Sequence, residues 1–342
     1  NYFDNYNPSN GSAYSLVPDS EKADIDHAVA AAKEAFKTWS KTSKQERSDI
    51  LMKLADTIEK HSEELIIAES KDNGKPESLA RAVDIPRAPA NFRFFATAIL
   101  HEHSEIHEMD GVALNYTLRQ PIGVAACISP WNLPLYLLTW KIAPALLMGN
   151  TVVAKPSELT PSTANLLCEV ASEVGLPDGV LNVVHGYGPE VGQAILEHPS
   201  IRAISFTGGT STGRHVAATS APMFKKLSLE LGGKNATIVL DDADLELALD
   251  GALRAGFTNS GQVCLCGSRI LLHASIADRF LAKFVERVEQ MVCGTPEDES
   301  TQIGALISLE HLRKVESYIQ LGIEEGGAVL AGGTREMTGQ VG

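Results

Sequence analysis

Gly123-Val124-Ala125-Ala126-Cys127-Ile128-Ser129-Pro130-Trp131-Asn132-Leu133-Pro134 opens the part of the chain whose reading decides the fold. Val124 to Ile128 is a short apolar run of strand length, the Ser-Pro-Trp-Asn segment reads as a turn, and residues 133–148 continue as an apolar helix. The same succession repeats downstream. Strands are expected at 151–154, 180–184, 203–206, 226–231 and 237–240, and helices at 161–174, 189–196 and 211–219. Pro161 suits a first helical position, where its missing N–H costs nothing. Short strands joined by helical crossovers imply a parallel sheet covered on both faces, a doubly wound, Rossmann-like α/β layout. A ligand of such a sheet sits beyond the carboxyl ends of the strands.

On the N-terminal side, residues 5–20 are rich in Asn, Ser, Pro and Gly and read as extended segments and turns. A helix is expected from about Asp24, with Ile25, Val29, Ala32, Phe36 and Trp39 on one face. A second is expected over residues 45–71, with Ile50, Leu51, Leu54, Ile58 and Leu65 inward. A third runs from about Glu77 to Leu100, interrupted near Pro86. Residues 103–120 are polar with alternating Val112, Leu114 and Tyr116, the pattern of a protruding hairpin. After Gly251 a second α/β unit is expected: a strand at 270–272, a long helix at 276–291 and another near 309–325.

The 342 residues suffice for two domains with real cores. Lys and Arg number 29 against 43 Asp and Glu, a net charge of −14, which argues against nucleic acid or anionic membrane as partner. No apolar run approaches the ~20 residues needed to span a bilayer. Five cysteines, with Cys264 and Cys266 as C-x-C, fit neither a disulfide framework nor a zinc site. A reducing, cytoplasmic compartment is expected. Asn1-Tyr2-Phe3-Asp4 does not begin a signal peptide, and without an initiator Met a few leading residues are expected to be missing.

Cys264, in Gly261-Gln262-Val263-Cys264, lies 34 positions after Glu230, in Leu229-Glu230-Leu231-Gly232-Gly233-Lys234. A thiolate adds to a carbonyl, and a carboxylate can activate water to hydrolyse the resulting thioester. Glu230 between leucines is expected to be desolvated, with its pKa raised toward neutrality; a structural salt bridge is the alternative. Asn132 can donate its amide to a developing oxyanion, or cap the helix that follows. Lys141 interrupts the apolar helix at Leu137-Leu138-Thr139-Trp140-Lys141-Ile142, either as electrostatic partner or proton relay for Glu230 or as a snorkelling lysine. Cys266, if the segment is extended, shares a side with Cys264 as a neighbour. His101-Glu102-His103-Ser104-Glu105-Ile106-His107 is not H-E-x-x-H, and no metal site is expected. No G-x-S-x-G elbow supports a serine hydrolase.

No G-x-G-x-x-G follows the first strand of the sheet. Gly186-Tyr187-Gly188-Pro189-Glu190-Val191-Gly192 looks like a loose variant but is weak by itself, a glycine turn at a strand end being the plainer reading. Phe206-Thr207-Gly208-Gly209-Thr210-Ser211-Thr212-Gly213 runs from a strand through two glycines into hydroxyl residues that can open a helix. Backbone N–H groups there attract phosphate oxygens, although a plain capped helix fits the same residues.

With Pro130-Trp131-Asn132-Leu133-Pro134 and Lys155-Pro156-Ser157-Glu158, these motifs occur in an order and spacing that resemble the aldehyde dehydrogenase superfamily over essentially the whole chain. The resemblance implies an NAD-binding domain over residues 1–102 and 122–232, an oligomerisation hairpin over 103–121 and a catalytic domain from 233. It assigns Cys264 as nucleophile, Glu230 as general base, Asn132 with the Cys264 N–H as oxyanion donors, and Lys141 as their neighbour. NAD is implied as cofactor, held by Ser129, Pro130, Trp131, Lys155, Ser157, Glu158, Gly188, Gly192, Phe206, Thr207, Gly208, Gly209, Gly213, Leu231 and Gly232. Lys155 and Glu158 would hold the adenosine ribose, and the carboxylate would repel the 2′-phosphate of NADP. Asp84-Ile85-Pro86-Arg87, Asn91-Phe92-Arg93-Phe94-Phe95 and Leu138-Thr139-Trp140-Lys141 look like the branch that oxidises muconic semialdehydes, including 2-aminomuconic semialdehyde in tryptophan breakdown. Arg87 would then grip the distal carboxylate of the substrate, a surface arginine at a helix start being the other reading.

Two departures stand out: Gly209 replaces the serine of many members, and the later E-x-F-G-P motif is absent. The chain is therefore expected to be a C-terminally truncated piece of an active homodimer or homotetramer. Competing expectations are a general aliphatic or retinal-type aldehyde dehydrogenase, an enzyme that passes the acyl group to coenzyme A, which Glu230 argues against, and an inactive structural homologue.

Overall fold

The computed structural model describes residues 1–335. An antiparallel hairpin, β1 (Tyr2–Tyr6) and β2 (Ala13–Pro18), precedes helices α1 (Lys22–Trp39), α2 (Lys44–Lys60) and α3 (Ser62–Asn73). Local chemistry fixes their starts. Ser43 and Glu46 form a reciprocal capping box at α2, and Glu21 with Asp24 does the same at α1. Residues 45–71 are thus not one helix. The chain breaks at His61, whose N–H reaches the Thr57 carbonyl while its own carbonyl takes the Leu65 N–H. Apolar spacing runs on through the break, because Leu54, Ile58, Leu65 and Ile66 all enter the same core.

A short α4 (Glu77–Leu79) passes through a π-helical turn, Ala80–Asp84, into α5 (Ile85–Ala98). This is the expected interruption near Pro86, which has no N–H to give to a regular helix. The hairpin β3 (Ile106–Met109) and β4 (Ala113–Tyr116) follows, exposed at every position.

Then come β5 (Val124–Ile128), α6 (Pro134–Leu147), β6 (Thr151–Lys155), α7 (Ser162–Glu173), β7 (Leu181–Val183), α8 (Gln193–Glu197), β8 (Ile201–Gly208), α9 (Thr210–Ser220) and β9 (Lys226–Leu231). The five strands form one parallel sheet in the order β7-β6-β5-β8-β9. Strand alternation divides its core in two. Cys127, Val152 and Ala154 point into the cluster built with α2, α5, α6 and α7. Val124, Ala126, Val153, Ile204 and Phe206 point to the other face, under α1 and α8. Both faces are therefore covered over β5 and β6. At β9 only one is: Leu227 and Leu229 pack inward, while Lys226, Ser228 and Glu230 face solvent.

The expected strand at 237–240 does not extend this sheet. It is β10 (Ala236–Val239), paired in parallel with β11 (Arg269–Leu272) across α10 (Leu245–Phe257). With α11 (Ala277–Glu289) these elements close a third, small core around Leu249 and Phe280, and α12 (Leu309–Glu324) follows. No helix among the described residues is long and apolar enough to cross a membrane.

Candidate active site

The strand order reverses between β5 and β8, the place where a doubly wound sheet opens a crevice. Register brings the motifs into one row there. Ile128 pairs with both Lys155 and Phe206, Thr207 with Glu230, and Gly208 with Leu231. The loops that begin at Ser129, Pro156, Gly209 and Gly232 thus leave the same edge of the sheet.

Several groups along this edge are polar and poorly satisfied. Ser129 donates its N–H to the Lys155 carbonyl at 3.1 Å, but its buried Oγ has no partner among the described residues. The Lys155 ammonium is buried and donates to the Pro156 carbonyl at 2.9 Å and to Glu158 at 3.2 Å. Burial lowers its pKa, and Glu158 opposes that shift. Ser157 is buried, and its Oγ accepts the Leu159 N–H at 3.3 Å. Gly209 stands at the N-terminal cap of α9, and a Cβ added there would meet nothing within 4 Å. Gly213, one turn on, has no such room, because a Cβ would lie 2.5 Å from Leu231 Cδ2. Gly208 is closed off similarly by the Phe206 ring. Gly188 and Gly192 bound a π-helical turn after β7. Leu231 and Gly232 are exposed, and the Trp131 ring meets His311 edge-on at 5.1 Å. An orphaned hydroxyl, a lysine–glutamate pair and an open helix start suit a ligand carrying ribose hydroxyls and phosphates.

Sequence reasoning passed over His185. It lies just after β7, its Nδ1 is buried without a partner among the described residues, and burial beside Lys155 pushes its pKa down to about 4. A single histidine after a strand gives no pattern to read.

Several expectations about the catalytic side are corrected. Glu230 is exposed rather than desolvated, because alternation along β9 turns Leu229 into the core and Glu230 with Ser228 and Lys226 to the open face. Lys141 does not snorkel: it is 4% exposed and donates to Thr207 Oγ1 at 2.6 Å. Burial depresses its pKa, while Cys127 and Glu230 act against that. Lys141, Glu230, Cys127, Trp140 and Ser228 line one cavity of about 450 Å³ between α6 and the sheet.

Asn132 does not cap α6, whose cap position is Leu133. Its Nδ2 donates instead to the Gln262 carbonyl at 2.8 Å, tying the loop after β5 to the loop that carries Cys264. That second loop is bent sharply. Asn259, Ser260 and Gly261 all have positive φ, at 53°, 55° and 75°. Two non-glycine residues in this region store strain, which must be held by contacts. Asn259 Nδ2 donates to the Asn132 carbonyl at 2.9 Å, Ser260 Oγ to the Gly304 carbonyl at 3.0 Å, and the Ile307 N–H to Gln262 Oε1 at 3.0 Å. The result is an exposed Cys264 on a turn, with its carbonyl accepting Asn235 Nδ2 at 2.8 Å. Cys266 does not share its side, because the Cys266 N–H closes that turn onto Val263 and the thiol is buried. Cys264 does not line the 450 Å³ cavity.

Beneath Asn132 lies a group that no sequence pattern announced. Lys75, 1% exposed, pairs with the buried carboxylates of Asp84 and Glu69. Burial pushes the Glu69 carboxyl up to about 7. The neighbouring Asn73 donates to the Trp131 carbonyl at 2.8 Å. Arg87 is exposed on α5, its guanidinium 5.8 Å from the Tyr136 ring, with no ion pair among the described residues.

Comparison with known proteins gives a consistent result. The profile of the aldehyde dehydrogenase family matches residues 1–342. The chain is 53% identical to 2-aminomuconic semialdehyde dehydrogenase of Bos taurus, over 97% of its own length and 68% of that protein. It is 48% identical to 2-hydroxymuconic semialdehyde dehydrogenase of Pseudomonas sp. strain CF600, over 97% of this chain and 69% of the other. Among solved structures it superposes on PnpE in complex with nicotinamide adenine dinucleotide with a TM-score of 0.95 at 46% identity, covering 97% of this chain and 68% of that one.

Proposed function

The chain belongs to the aldehyde dehydrogenase family, and from that premise we propose that it oxidises a muconic semialdehyde to the carboxylic acid with Cys264 as nucleophile. The observation that carries this reading is the 2.8 Å bond from Asn132 Nδ2 to the Gln262 carbonyl, two residues before the thiol. It supports an arrangement in which one amide hydrogen anchors Asn132 and the other remains to meet an oxyanion.

The Cys264 thiolate adds to the aldehyde carbon. The oxyanion that forms is met by the Asn132 amide and the Cys264 N–H, donors fixed before the charge develops. NAD is the cofactor and, when bound, would supply the acceptor for the hydride of the tetrahedral adduct. The thioester left on Cys264 is hydrolysed by water whose proton Glu230 takes, and the acid departs with the thiol restored. Glu230 is reached by solvent, which suits that step. Lys141, bonded to Thr207, sets a cation beside Glu230. Ser129, Pro130, Trp131, Lys155, Ser157, Glu158, Gly188, Gly192, residues 206–209, Gly213, Leu231 and Gly232 would hold the cofactor.

Arg87 has a guanidinium free for a planar, bidentate carboxylate, and the Tyr136 ring beneath it steadies that orientation. It is the anchor we propose for the distal carboxylate of the substrate. The hairpin β3–β4, which exposes Ile106, Leu114 and Tyr116, is proposed to join subunits into a dimer or tetramer. The free thiols of Cys127, Cys168, Cys264 and Cys266 support a cytoplasmic setting.

The test is NADH formation from 2-aminomuconic or 2-hydroxymuconic semialdehyde, with Cys264→Ala and Arg87→Ala beside the wild type. Turnover abolished in the first variant, and a KM raised in the second, are expected. Turnover of simple aliphatic aldehydes alone would remove Arg87 from the site, and turnover persisting in Cys264→Ala would sink the mechanism.

A further inference from the structure

Asn132 is useful only if its amide points one way, and the atoms that could enforce this lie in the buried charge cluster below it. Lys75 Nζ donates to the Asn132 carbonyl at 3.1 Å, and the same carbonyl receives Asn259 Nδ2 at 2.9 Å. One carboxylate of the cluster, Glu69, accepts the Leu135 N–H through Oε2 at 3.4 Å, and its other oxygen lies 3.4 Å from Lys75 Nζ. The second, Asp84, is delivered by the π-helical turn before α5 and pairs closely with Lys75. All three side chains are fully buried. The cluster therefore grips the segment from Asn132 to Leu135 at both ends, by a carbonyl and by an N–H.

A buried lysine held between two carboxylates has no solvent to satisfy its third hydrogen, so the donation to Asn132 is not readily exchanged for water. We propose that Lys75 is a positioning residue: it fixes the peptide plane of Asn132, so that the side-chain amide stays aimed at the Cys264 loop. The proposal rests on the role given to Asn132 above. It requires Glu69 and Asp84 as the frame that holds the ammonium in place.

The experiment is a double-mutant cycle of Lys75→Met and Asn132→Ala, read by kcat, by the NAD dissociation constant and by hydrogen exchange. Lys75→Met is expected to lower kcat by about tenfold or more in the native background and hardly at all beside Asn132→Ala, because it acts through that amide. The NAD dissociation constant is expected to change less than about twofold in a residue that positions rather than binds. Exchange of the Leu133 and Leu135 amides is expected to rise in Lys75→Met, a readout independent of turnover. If Lys75→Met leaves two carboxylates too costly to bury and fails to fold, Lys75→Met/Asp84→Asn removes the ammonium together with one of them and takes its place. Equal losses of kcat in both backgrounds, or unchanged exchange of the Leu133 and Leu135 amides, would overturn the proposal. A wild type that oxidises no aldehyde would overturn the functional reading alone, and the exchange result would still decide the clamp.

Discussion

In the proposed mechanism Glu230 and Cys264 divide the work in time, and their settings differ accordingly. The thiol sits on a strained, tightly bonded turn, whereas the carboxylate stands on an open strand face. Removing the base should therefore spare the first half of the reaction. Glu230→Gln is expected to give a burst of about one NADH per site, followed by steady turnover slowed by roughly 10²–10⁴-fold, the usual weight of a general base. Rapid-mixing absorbance checks this, and the absence of a burst would mean that Glu230 acts before the thioester forms. Asn132, Glu230 and Cys264 stand out in the sequence as candidates because each sits in a short motif with a recognisable order. Lys75 does not, because its partners Glu69, Asp84 and Asn132 come from three separate segments, and only the fold makes a turn lysine a buried one.

Elements were legible where period and turn chemistry agreed. The strands of the main sheet lie within a few residues of their expected places, since short apolar runs between helices have few other readings. The break at His61 was hidden because apolar spacing continues through it. The glycine-tight seam between the turn after α3 and the segment before α12 was hidden too, because nothing local marks it. There the Ala305 N–H reaches the Gly74 carbonyl at 3.1 Å, and a Cβ on Gly304 would collide with that same carbonyl. Gly304→Ala is expected to cost about 1–3 kcal/mol, since backbone rather than a mobile side chain must yield. Because the Gly304 carbonyl also holds Ser260, activity should fall along with the melting temperature. Denaturant unfolding, with kcat measured on the folded fraction, checks both, and an unchanged midpoint would show that the seam opens freely.

At the scale of the molecule, the crevice at the end of the sheet gathers loops from β5, β6, β8 and β9. A cofactor that bridges these loops binds the folded chain alone and must stabilise it. NAD at about a hundredfold excess over its dissociation constant is expected to add about 2.7 kcal/mol to unfolding. NADP at equal concentration should add much less, because Glu158, in the ribose-binding role proposed for it, would oppose a 2′-phosphate. Thermal melts in the two nucleotides decide this, and equal shifts would remove Glu158 from the ribose site.

The strand order also governs how the chain emerges from the ribosome. β5 is the central strand; β6 can join one of its edges, and β7 the far edge of β6, as soon as they appear. Its other edge waits for β8, which begins at Ile201, some seventy residues after Ile128. At roughly 5–20 residues per second, translation leaves that apolar edge bare for several seconds. A nascent chain in this state offers an unpaired, hydrophobic template to any neighbour. The vulnerable moment in the life of this protein is thus expected to be its synthesis, before β8 arrives to cover β5.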